Sequence, residues 1–200
     1  MINQHAFSRR RFASHVVGLL TYLVCDVPAA GEYVISVWNG KQLFSALRLQ
    51  AREGDSNSQI DIDLAELQKT DTGAAKQNIA PKGKLVIYCS RGNREFRVTV
   101  AQKHKEGDKT IFDSERLGAS DHFIFVPVLK GKYNFAMTSE KPSGTIVVAP
   151  STDKKILTHH LEPKRATVAK TGIVPKKIEV VPGQPIVFDI QTTTGFEISM

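Results

Sequence analysis

The residues with the softest donor atoms set the first question. The 200-residue chain has six histidines, two cysteines and three methionines. His159 and His160 are adjacent and stand beside Glu162. Neighbouring side chains on an extended chain point to opposite sides, so this pair chelates poorly by itself. Joined by His122 and Met137, it would make a set of imidazole and thioether donors suited to copper. Cys89 ends the apolar run Leu85–Cys89, with Arg91 the only nearby cation in sequence, and reads as a small buried apolar residue. Asp61 and Asp63, with Glu53 and Asp55 before them, offer oxygen ligands for calcium but fit the solvated face of a strand better. No Gly-x-Ser-x-Gly elbow and no His-Glu-x-x-His helix motif occurs. No residue is therefore assigned a catalytic role, and the chain is not read as an enzyme.

Those donors must be carried by strands. Hydrophobic residues make up 41% of the chain, enough for a packed core. Gln59–Leu64, Phe96–Val100, His122–Val126 and Lys132–Met137 alternate apolar and polar residues with the period of two that marks half-buried strands. Glu32–Asn39 is rich in β-branched and aromatic residues and ends at the turn pair Asn39-Gly40. Lys41–Ala51 fits a strand or a helix. Gly144–Val148, Ile178–Val181, Ile186–Ile190 and Phe196–Met200 complete the series. Short strands at regular spacing with turn signals between them predict an all-β sandwich or barrel.

An internal echo runs through this series. Pro81–Tyr88 matches Val181–Phe188 in pattern, and Phe96 falls opposite Phe196 at the same spacing. It suggests either a second module that stops after its opening strands or a hairpin packed on the first domain.

Residues 1–30 read as an export signal. Ser8-Arg9-Arg10-Arg11-Phe12 is basic, Val16–Val24 is apolar, and Val27–Ala30 supplies small residues for cleavage. Ser-Arg-Arg-x-Phe resembles the twin-arginine signal, with an ordinary secretory signal as the alternative. Periplasmic location follows from either. No other segment is long and apolar enough to span a membrane. Removal of this leader would take Cys25 and leave Cys89 as one thiol, so no internal disulfide is expected. The net charge of +7 is scattered among acids rather than gathered into a stripe with aromatics, which argues against a nucleic-acid partner.

Residues 79 to 148 resemble a cupredoxin, the Greek-key barrel of blue copper proteins. The likeness rests on Lys82–Ile87, on Phe112-Asp113-Ser114 followed by Leu117, on Leu129–Phe135 and on Gly144–Val148. The resemblance implies a Greek-key sandwich or barrel with additional N- and C-terminal strands. It also implies copper ligands at positions where this chain has Glu95 or Phe96, Met137, Glu140, and Pro142 or Ser143. A blue copper site needs two imidazoles, a thiolate and an axial thioether, so no such centre is expected. The organisation that follows is a leader over 1–30, a β extension over 31–78, the cupredoxin-like core over 79–150, a linker over 151–173 and the last β segment over 174–200. The expected role is a binding or structural module for a periplasmic protein, without a cofactor. The alternative is a copper-handling or electron-transfer accessory protein that uses His122, Met137, His159 and His160.

Overall fold

The computed structural model describes residues 8–67, 77–138, 143–150 and 161–200. The chain is all β, and it makes two passes through one course of strands. The first pass runs through β1 (Arg11–Ala13), β2 (Thr21–Asp26), β3 (Gly31–Asn39), β4 (Gln42–Ala51), β5 (Gln59–Asp63), β6 (Gln77–Ile79), β7 (Lys84–Tyr88) and β8 (Arg97–Gln102). The second runs through β9 (Lys109–Asp113), β10 (His122–Phe125), β11 (Gly131–Met137), β12 (Gly144–Val148), β13 (Lys164–Ala169), β14 (Gly172–Val174), β15 (Lys177–Val180), β16 (Ile186–Ile190) and β17 (Phe196–Ser199). Among the described residues, β14 has no counterpart in the first pass.

Three sheets result. A seven-stranded sheet has the order β14-β13-β16-β10-β2-β7-β5. Two five-stranded sheets have the orders β6-β4-β3-β8-β9 and β15-β12-β11-β17-β1. Position by position, the two smaller sheets are copies of one another, and β2 and β10 are equivalent strands that pair antiparallel. Their register sets Leu23 against Phe123, with Val24 against His122 and Tyr22 against Ile124 on either side. A local two-fold axis therefore passes through the Leu23–Phe123 pair.

This arrangement overturns the expectation of a Greek-key cupredoxin sandwich. The strands between residues 79 and 150 do not close on one another. β7 and β10 belong to the large sheet, β8 and β9 to one small sheet, and β11 and β12 to the other. The chain instead coils twice, and the coils stack through their sheets. Alternation had identified single strands, but it carries no information on which strand lies beside which.

The echo belongs to a duplication that spans most of the chain. Phe12, Ser14, Gly18, Gly31 and Tyr33 recur as Phe112, Ser114, Gly118, Gly131 and Tyr133, at a spacing of 100 residues. Local geometry repeats with them. Leu20 (φ 68°) and Ser120 (φ 80°) share the left-handed backbone that residues with a Cβ rarely adopt. Tyr33 Oη donates to Ala29 O (2.7 Å) and Tyr133 Oη to Leu129 O (3.0 Å). Later the passes drift out of step, since the bend after β7 is longer than the one after β16. As a result Phe196 occupies the place of Val98, not of Phe96.

The first strand of each pass crosses to the other pass. β1 pairs with β17, and β9 pairs with β8. Buried serines lock each crossing. Ser14 N donates to Phe196 O (2.8 Å), and Ser14 Oγ accepts from Phe196 N (3.1 Å). Ser114 repeats the pair on Val98, at 2.9 and 3.0 Å.

Residues 11–26, read in sequence as part of a leader, supply β1 and β2 here. β2 lies inside the seven-stranded sheet, between β10 and β7. A strand buried in a sheet is an uninterrupted apolar run, and in composition it matches the apolar part of a signal.

The core is continuous. Across the large sheet, Ile62, Ile87, Leu23, Phe123, Phe188 and Ala166 lie side by side on one face, all of them buried. Phe123 meets Phe196 at 5.3 Å, and Phe188 meets Phe135 at 5.4 Å, which fastens the β11–β17 region to this row. Phe12 of β1 reaches Phe125 of β10 at 4.6 Å. Each such ring contributes about 1.5–3 kcal/mol through burial.

Candidate functional site

Of the copper set proposed from sequence, His122 and Met137 are not brought together. His122 opens β10 on the face of the large sheet opposite to Phe123 and Phe125, among Val24, Asp189 and their neighbours. Its Nδ1 stands 2.8 Å from Asp189 Oδ1 but is not aligned for a hydrogen bond. Asp189 is gripped by Arg165 through two bonds of 3.0 and 2.6 Å. Met137 ends β11 on the inward side with Tyr133 and Phe135, 4% exposed, and pairs with Phe196. The imidazole and the thioether thus lie on opposite sides of a packed sheet. His159, His160, Glu140 and Pro142 fall outside the described residues. Among the described residues, no group of three or more His, Cys, Asp or Glu converges. Of the other positions where a cupredoxin would hold ligands, Glu95 is paired with Arg9 at 2.6 Å and Phe96 is a core residue.

The remaining chemical candidates are structural. Cys89 Sγ donates to Arg91 O at 3.2 Å, and burial pushes its thiol pKa up. Burial raises that of Cys25 further, with Asp121 and Asp26 adding to it. Both thiols are held in the form that does not attack or ligate. Asp63 is partly buried, which by itself would raise its pKa. N–H donors from Ser90 and Ala65, with Arg91 nearby, outweigh that and hold it below the ordinary carboxylate value. Asp61 accepts from Gln59 Nε2 at 2.7 Å.

A different feature emerges when the outer faces of the two small sheets are compared. On β3, Tyr33, Ile35 and Val37 point inward, leaving Glu32, Val34, Ser36 and Trp38 outside. Register places Ala46 and Thr99 beside Ser36, and Ala101 and Arg48 beside Val34. A bulge after Val37 sets Leu43 against Trp38. Leu43 is 40% exposed, and Trp38 donates to Thr99 Oγ1 at 3.5 Å. The same sheet carries an open hollow of ≈ 450 Å³ lined by Glu32, Val34, Ala46, Arg48 and Lys103. Equivalent positions on β11 are Lys132, Asn134 and Ala136, followed by Thr138, with Glu197 and Ser199 of β17 beside them.

Trp38 was not singled out from sequence. The signal that finds it is the alternation of β3, which leaves apolar residues on both faces, read against the residue 100 positions later. Among the described residues, no helix is long and apolar enough to cross a membrane. No protein-family model, no curated protein and no solved structure matches the chain.

Proposed function

We propose that the protein is a non-catalytic binding module that holds a protein partner on the outer face of the β6-β4-β3-β8-β9 sheet. One observation carries this reading. Two passes under the same folding constraints keep the same inward pattern, yet the first places Trp38 and Leu43 on its outer surface where the second has Thr138 and polar neighbours. A solvated sheet face gains nothing from a half-buried tryptophan beside an exposed leucine, whereas interfaces are enriched in tryptophan.

The test places a photo-crosslinking residue at Leu43 and, in a second protein, at Thr138. Adducts with a discrete partner from position 43, absent from 138 and abolished by Trp38→Thr, are expected. Equal adducts from both positions, or none from 43, would overturn the reading. Trp38 is the only tryptophan in the chain, so its fluorescence reports on the face directly.

A further inference from the structure

At the joint between the two passes, one buried position exchanges a neutral side chain for an ionisable carboxyl. β2 and β10 pair about Leu23 and Phe123, and one step beyond His122 brings Asp121 level with Cys25. The equivalent of Asp121 in the first pass is Thr21. Thr21 is 1% exposed, and its hydroxyl both accepts from Gly18 N (3.1 Å) and donates to Gly18 O (2.9 Å). That arrangement is neutral and self-contained. Asp121 is 6% exposed, and its Oδ2 accepts from Gly118 N at 2.6 Å. Its backbone closes the same turn on Gly118 O (3.2 Å) and accepts from Ile190 N (3.0 Å) of β16. An ionised carboxylate cannot return a proton to Gly118 O as threonine does to Gly18 O.

The groups around it do not compensate a negative charge. β2 presents the Cys25 thiol and the Asp26 carboxylate. β7 presents Lys84, which is engaged by Asp26 at 2.7 Å. β16 presents the backbone of Ile190.

We propose that Asp121 makes the joint between the two passes responsive to pH, closing it firmly when the carboxyl is protonated and loosening it when the carboxyl is ionised. Burial, with a smaller contribution from Asp26 and against the Gly118 N–H, pushes its pKa up to about 7. The folded value lies above the ordinary one, so the stabilisation is complete below the ordinary carboxylate range. It is lost as pH rises through about 7.

The experiment compares thermal unfolding of the full chain, Asp121→Asn and Asp121→Thr between pH 5 and pH 8.5. The variants are expected to melt above the wild type at pH 8.5, with the advantage gone or reversed at pH 5. Parallel curves at all pH values would overturn the proposal. If Asp121→Thr fails to fold, Asp121→Asn carries the test. A second readout follows modification of Cys25 by a thiol reagent in a Cys89→Ser background. At pH 8 the chain with Asp121 is expected to react about tenfold faster than its Asn variant, the ratio that one unit of coupled titration supplies. Equal rates would equally overturn it.

Discussion

The first and second passes solve one folding problem with different residues, and their comparison separates what the fold requires from what it leaves free. Inward positions keep their character. Tyr33 and Tyr133 make the same hydroxyl bond, Ser14 and Ser114 make the same lock, and the left-handed backbone recurs at Leu20 and Ser120. Where inner residues change, volume moves between partners, as when Leu23 faces Phe123 across the axis. Outward positions diverge freely, from Trp38 to Thr138 and from Val34 to Asn134. A duplicated chain thus contains its own control, and differences between equivalent outer positions show where the fold imposes no residue.

The comparison can be broken most severely at β2. A chain that starts at Gly31 loses the strand between β10 and β7 and the residues on one side of the two-fold axis. It is expected to lose cooperative unfolding in urea altogether. If that chain unfolds with the midpoint of the whole protein, residues 11–26 are not the integral strands described here. Next in size is the aromatic row. Phe123→Ala should cost about 3–5 kcal/mol, and Leu23→Ala about 2–5 kcal/mol, measured as shifts in denaturant midpoint. Equivalence across the axis requires both to weaken one and the same transition. The serine locks are smaller and sharpen the symmetry further. Ser14→Ala and Ser114→Ala each leave a buried N–H without its hydroxyl acceptor, at about 1–3 kcal/mol. The double variant should cost the sum of the two within about 0.5 kcal/mol, the margin for independent sites.

Much of the strand content was legible in sequence. Gly144–Val148 and Ile186–Ile190 match strands of the structure residue for residue, because alternation and turn residues act locally. Strand neighbours were not legible. The parallel contacts of β12 with β15 and of β13 with β16 join segments far apart in sequence, and nothing in either segment names the other. The duplication was visible at Gly83 and Gly183, but its clearest correspondences, Phe12 with Phe112 and Ser14 with Ser114, lay inside a segment whose arginines and apolar run also fit a leader. For the copper set, parity alone places His122 opposite Phe123, and Met137 with Tyr133. Only the pairing of the sheets shows that these two faces never meet.

The crossing of β1 and β9 constrains the order in which the molecule can form. Arg11–Ala13 has no partner until Glu197–Ser199 has been synthesised, and β9 must be captured by β8 of the preceding pass. Closing so long a loop has a large entropic cost before any contact offsets it. Neither pass can complete its small sheet by itself. The two halves are therefore committed to one another, and the N-terminal strand is a clasp that can close only on the C-terminal one.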